Sequence, residues 1–241
     1  MTATESDELK TGEKRYLPRA GTLRLYSGLV LMVFLVLHLI NHSLGLISLD
    51  ALEWGRSIFT SIWRGTVGTI VLLAATVIHL LLVFAKLLAH RSYRRIPPKE
   101  ILQIVMGLAI PPLLIAHFIG TRAAHEALGM NDSYAYVLYN IWVSEPLLGL
   151  MQAAGTVVAW LHGCLGMHFW LRLKPWYETA FPYLYSAALI LPVLALTGFV
   201  NSANEMEVLL RLCPLPDPEP ALPPRRGGRR AIRGAARRKR A

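Results

Sequence analysis

Charge is missing from long stretches of this chain. Charged residues make up 17 % of the 241 residues, and hydrophobic ones 54 %. A soluble domain carries about 25 % charge. The shortfall is local. Windows 25–47, 65–85, 101–121, 146–171 and 179–204 contain no Asp, Glu, Lys or Arg. Each meets or exceeds the roughly 20 apolar residues that cross a bilayer as a helix. Period-two alternation is also absent, which excludes a membrane β-barrel. Cysteine is scarce: Cys164 and Cys213 make no disulfide framework. No cleavable signal peptide is expected either. The first 24 residues are polar and hold Lys10, Lys14, Arg15, Arg19 and Arg24, and the apolar run that follows is too long for a signal core. That run is expected to stay in the membrane as a signal anchor.

These absences define an all-α fold, a polytopic membrane helical bundle. The expected organisation is a cytoplasmic polar head (1–24), a bundle (25–204) and a tail (205–241). The spans fall at about 25–47, 65–90, 101–122, 146–171 and 179–204. Lys and Arg number five in the head, two in 48–64, five in 86–100, one in 122–145, two in 172–178 and ten in 205–241. This alternation places the N-terminus, the 86–100 loop and the 172–178 loop in the cytoplasm. Five spans then leave the basic C-terminus outside, against the same rule. The tail, "CPLPDPEPALPPRRGGRRAIRGAARRKRA", has no aromatic residue and cannot build a core, so disorder is expected from it. It reads either as a basic lipid- or nucleic-acid-contacting tail or as a read-through of coding sequence out of frame; for the protein as a whole no nucleic-acid partner is expected.

What is present is histidine, inside the apolar windows. His38 and His117 are 79 residues apart, and so are Ile62-Trp63 and Ile141-Trp142. His79 and His162 follow at 83. The chain therefore repeats a unit of helix, interfacial connector and helix, once in 25–90 and again in 101–173. A fifth helix has no counterpart. The connectors 51–63 and 132–142 are rich in Trp and Tyr, as suits the headgroup region. Prolines 111, 112 and 192 are expected to kink their helices and leave carbonyls unpaired.

An ionisable side chain inside hydrocarbon is expensive and needs a partner. At a rise of about 1.5 Å per residue, His38 and His117 lie roughly 21 and 25 Å above the cytoplasmic edge, and His79 and His162 roughly 16 and 15 Å. Matching depths suggest two bis-histidine layers. Zinc wants four convergent ligands, and each layer offers two. A planar cofactor with two open axial positions fits, which points to haem b, two per chain. A proton or ion path is the competing expectation, but such paths use Asp or Glu and the spans have none. Structural hydrogen bonding is a third. Gly163, Gly166, Gly120 and Ala74-Ala75 adjoin the histidines and would let a macrocycle approach the backbone. Asn41, His42, Arg122, His125, Glu126, Asp132 and Tyr134 form a candidate outer pocket for haem propionates or a quinone headgroup, unless they are an ordinary charged helix end. His168, with Arg172, is a candidate contact on the inner side. His90 is expected to be solvated.

The stretches "RLYSGLVLMVFLVLHLINHSLGLISLDALEWGR", "LAIPPLLIAHFIGTRAAHEALGMNDSYAYVL" and "AWLHGCLGMHFWLRLKPWY" resemble the N-terminal membrane anchor of a group of bacterial adenylate/guanylate cyclases. That anchor is similar to the di-haem cytochrome b anchors of succinate dehydrogenase and fumarate reductase. The resemblance covers roughly residues 20–205. It implies haem ligation by the four repeated histidines, quinone contact, and a role in signal transduction or electron transfer. The partners it implies are a second copy of the chain, or a cytoplasmic redox or cyclase domain. In such cyclases a sixth span, a ferredoxin-like segment and a catalytic domain follow. Here the pattern departs after about Glu207, so a truncated anchor is expected. A free-standing cytochrome b subunit is the alternative.

Overall fold

The computed structural model describes residues 3–89 and 96–213, without the side chains of 3–19. The elements in order are α1 (Ala3–Ser43), a 3-10 turn (Leu44–Leu46), α2 (Leu49–Trp63), α3 (Thr66–Ala89) and α4 (Pro98–Phe118). A π segment (Ile119–Ala123) leads into α5 (Ala124–Leu128). Then come α6 (Tyr134–Leu138), a second π segment (Tyr139–Ser144), α7 (Pro146–Leu171) and α8 (Tyr177–Leu212). No strand occurs among the described residues. Five segments are long and apolar enough to cross a membrane: Ala20–Leu46, Thr66–Ala89, Pro98–Leu128, Pro146–Leu171 and Tyr177–Leu212. The protein is a multi-pass all-α membrane bundle.

Several boundaries differ from the sequence expectation. Helix α1 begins at Ala3, inside the polar head, and α8 runs to Leu212, eight residues into the expected tail. Glu205 is the reason at that end: its carboxylate accepts the Leu49 backbone N–H at 2.8 Å, which ties this part of α8 to the start of α2. Residues 214–241 and His90 lie outside the described residues. Helix α4 passes through Pro111 and Pro112 and widens into a π segment only after His117.

Within unit 3–208 the repeat is visible as packing. Helix α1 packs along α3, and α4 along α7, while the two hairpins touch each other only lightly, through α1 and α7. The slot between them is closed on one side by α8. Leu39 of α1, Trp160 of α7 and Ala195 of α8 form a buried cluster on that seam. The Trp160 indole N–H donates to the Ala188 carbonyl at 2.8 Å. Asn201 Nδ2 donates to the Gly45 carbonyl at 2.8 Å. A Cβ at Gly45 would collide with the Gly198 carbonyl, so glycine is what lets the α1 end meet α8. Few span residues are buried within the protein; side chains such as Val67, Leu81, Leu150 and Val193 stand outward. Lipid has to cover them.

The connectors close the other end. Helix α2 is capped by Ser48, whose hydroxyl accepts the Ala51 N–H at 3.0 Å. It buries Leu49, Leu52, Gly55 and Trp63 and exposes Trp54, Ile58 and Ile62. That two-faced character suits a helix lying in the headgroup layer.

Candidate functional site

Two histidine pairs face each other across the slot. The His38 and His117 ring centroids are 6.0 Å apart, with ring planes at 54°. Those of His79 and His162 are 6.5 Å apart, at 89°. Each pair takes one ring from each hairpin. Two imidazoles bound to opposite faces of one iron, each through nitrogen at about 2 Å, put their centroids roughly 6.3 Å apart. Both spacings match that value. Among the described residues no group of three or more His, Cys, Asp or Glu side chains is placed to hold a bare metal ion.

The His79–His162 pair is built twice by the same local device. The His79 Nδ1–H donates to the Arg24 carbonyl at 3.2 Å, and the His162 Nδ1–H donates to the Gln103 carbonyl at 3.0 Å. Those carbonyls already serve their own helices. A carbonyl has a second lone pair, but a side chain four residues on would normally screen it. Here that residue is glycine. A Cβ on Gly28 would lie 3.2 Å from His79 Cε1, and one on Gly107 would lie 2.8 Å from His162 Cε1. Arg24 and Gln103 are 79 residues apart, as are Gly28 and Gly107. The sequence repeat thus extends upstream of its histidines, and those four positions were missed. Extending the 79-residue offset backwards from His38 would have found them. A carbonyl acceptor fixes the proton on Nδ1 and leaves the Nε2 lone pair available for a metal.

The other pair is less symmetric. The His117 Nδ1–H donates to Gln152 Oε1 at 3.2 Å. His38 stacks on Phe34 and contacts Phe59; its Nδ1 is buried with no partner. His42 Nε2 lies 3.1 Å from His38 Nε2. Three imidazoles therefore gather here, and one iron takes two.

The level of the pairs also differs from the depth estimate. A cytoplasmic edge at Arg24, from which the roughly 21 Å depth of His38 is counted, would put His79 well above that residue. In the structure His79 bonds to the Arg24 backbone. Counted along α1, Gly28 opposite His79 is ten residues from His38, about 15 Å, rather than the few ångströms the depths imply. Apolar runs mark edges poorly because a long basic side chain can reach the interface from inside the span.

The candidate pocket residues at the connector end do come together, but mostly with one another. Asn41 Nδ2 donates to the Tyr134 hydroxyl at 2.7 Å, and His42 packs edge-on against the Tyr134 ring. Arg122 donates to Thr69 Oγ1 at 3.0 Å and pairs with Glu126 at 3.3 Å. The His125 Nδ1–H donates to the Met130 carbonyl at 3.0 Å. Glu53, Arg56 and Arg64, not anticipated, complete the group. Glu53 accepts the Tyr134 backbone N–H at 2.9 Å and pairs with Arg56. Asp132 is buried between Arg56, at 3.3 Å, and Arg64. This clasp joins the connector of one repeat to that of the other. At the far end, His168 Nδ1 and the Tyr177 hydroxyl share a hydrogen bond of 2.8 Å, among Phe169 and Phe181. Arg172 lies over the Phe169 ring. Neither lines the cavity beside His79 and His162.

Burial alone would raise the Asp132 carboxyl, but the Arg64 hydrogen bond and the charges of Arg64, Arg56 and His125 hold it below its usual value. A depressed carboxylate stabilises the fold above its unfolded pKa, about 3.9, and loses that contribution as pH falls through the lower folded value. Asp132→Asn is therefore expected to destabilise the protein by about 1–2 kcal/mol at neutral pH. It should also flatten the loss of stability below about pH 4. Thermal unfolding in detergent at several pH values checks both.

Two cavities accompany the histidines. One of about 130 Å³ adjoins His79 and His162. Another, of about 190 Å³, adjoins His117 and is lined by Thr121, Tyr136, Asn140 and Gln152. Both are smaller than the roughly 300 Å³ at which ligand pockets begin. Seating a macrocycle therefore means side chains beside the rings giving way while the ring spacing is kept, and the light contact between the hairpins leaves little packing to lose. Comparison with known protein families, curated proteins and solved structures finds no match for this chain.

Proposed function

We propose that this protein is a membrane-embedded, b-type cytochrome-like anchor. It holds one haem between His38 and His117 and a second between His79 and His162. One observation carries the reading: two imidazole pairs span the slot at bis-axial spacing, and three of the four rings have Nδ1 turned to a carbonyl-type oxygen. Those bonds orient each ring, keep Nε2 unprotonated and raise its basicity as a ligand. Phe34 and Phe59 shield the His38 ring from water. Haem, when bound, supplies one-electron redox chemistry. The role as the redox- or quinone-sensing anchor of an adenylate cyclase rests on the resemblance of residues 20–205 alone.

The cavity beside His117 favours a second reading, that of a cytochrome b subunit passing electrons between a quinone and a separate partner. Its polar side chains Thr121, Tyr136, Asn140 and Gln152 suit a quinone headgroup. Protein expressed with ample haem and purified in detergent should contain two non-covalent b-type haems per chain. A colourless protein overturns the proposal. Reduction of both haems by a quinol analogue would favour the carrier over the sensor.

A further inference from the structure

A third, small cavity lies where α1, α7 and α8 meet, with a volume of about 20 Å³. Leu39, Ala195 and Phe199 give it apolar walls, and His42, Gln152 and Thr156 supply its polar groups. Leu39, His42, Ala195 and Phe199 are buried. No Asp, Glu, Lys or Arg lines the cavity, so an ion would meet no counter-charge there. The volume is also far below that of pockets for organic ligands. A water needs roughly 10–15 Å³ of such space and about two to four polar partners.

Each of the three polar side chains has one end committed and another left over. His42 Nε2 bonds to His38 Nε2 at 3.1 Å, which leaves Nδ1. Gln152 Oε1 accepts the His117 Nδ1–H at 3.2 Å, which leaves the amide N–H donors. The Thr156 hydroxyl donates to the Gln152 backbone carbonyl at 2.8 Å, which leaves oxygen lone pairs. A buried polar group without a partner costs its desolvation in full. One water can serve all three.

We propose that this cavity binds one ordered water, held by His42, Gln152 and Thr156. Helix α1 belongs to one hairpin and α7 to the other, and the two touch only lightly. A bridging water is nearly as good as a direct hydrogen bond, so it adds a polar tie where packing is thin. It also settles which end of the Gln152 amide faces His117. The two ends have almost the same shape and differ in being donor or acceptor. A water that accepts from the amide N–H keeps Nε2 on the cavity side and Oε1 on the side of His117. Gln152 is then a positioning residue: it holds the proton of His117 on Nδ1, and the water holds Gln152. No cofactor enters this site, so water binding and haem binding are tested separately.

The first test is a structure of the full chain, crystallised in a lipidic mesophase, at a resolution that shows ordered water. One isolated peak is expected within hydrogen-bond distance of the His42, Gln152 and Thr156 side chains. No peak, or density continuous with an acyl chain, overturns the proposal. The second test is solid-state ¹⁵N NMR of histidine-labelled protein, with the His117 signals assigned by their loss in His117→Ala. Wild type should show His117 protonated on Nδ1. Thr156→Val, which keeps the shape but removes one support of the water, should show a mixture of tautomers as the Gln152 amide flips. Thr156→Ser, which keeps the oxygen, should restore the wild-type signal. A His117 tautomer that is the same in all three proteins overturns the positioning role. Should Thr156→Val fail to fold, the wild-type density still decides whether the water is there.

Discussion

His79→Ala or His162→Ala is expected to remove one haem of the two and leave the other spectrally intact. His117→Ala should do the reverse. Haem content should fall by half in each case, because a single imidazole facing an alanine cannot make a six-coordinate iron. The pairing follows from rings that meet across the slot at 6.5 and 6.0 Å. The two layers are about 15 Å apart along α1, far enough for each to be lost alone. His38 is informative because His42 stands 3.1 Å away on the same helix face. If His38→Ala depletes the same haem as His117→Ala, His38 is the ligand. If only His42→Ala does so, the ligand lies one turn further on. Loss of the same haem from His38→Ala and His79→Ala would contradict the pairing, since both residues belong to one hairpin.

Of the two glycines set against the His79 and His162 rings, Gly107 should respond more strongly to an added methyl group. The new Cβ would sit 2.8 Å from His162 Cε1, too close for any real contact, so the ring has to move. Movement breaks the Nδ1–H bond to the Gln103 carbonyl and tilts Nε2 away from His79. Overpacking of this kind costs about 1–3 kcal/mol, and the haem between His79 and His162 should be largely lost. Gly28→Ala meets His79 at 3.2 Å and should weaken the same site less. Gly21→Ala and Gly120→Ala meet nothing within 4 Å and should leave haem content unchanged, although Gly120 lies only three residues from His117. Equal haem content in all four variants would show that the glycines do not seat the rings.

Much of this architecture is legible in the sequence for a simple reason. Charge is excluded from hydrocarbon and histidine is tolerated there only with a partner, so both leave a linear trace. The five spans, the 79-residue repeat and the grouping of the four histidines all come from that trace. What is not legible depends on how helices are staggered. Arg24 looks like an edge marker, yet its carbonyl lies beside His79 and α1 extends to Ala3. The clasp of Arg56 and Arg64 on Asp132 joins residues on either side of two spans, and no periodicity announces it. His168 reads as a site residue because it is an intramembrane histidine near cations. Its partner is Tyr177, nine residues on and across a turn. The glycines at 28 and 107 were within reach of sequence reasoning. Their role is plain only once a neighbouring helix is seen to put a ring against them.

The most direct measurement is low-temperature electron paramagnetic resonance of the oxidised, purified protein. Two axial imidazoles with crossed planes donate π density almost equally into the two iron d orbitals, which stay nearly degenerate and give a highly anisotropic low-spin signal. The His79 and His162 planes cross at 89°, and those of His38 and His117 at 54°. Two low-spin ferric signals are therefore expected, one strongly anisotropic and lost in His162→Ala, the other less so and lost in His117→Ala. A single high-spin signal, or no iron signal from protein produced with ample haem, would contradict the assignment of bis-histidine haem sites to this bundle.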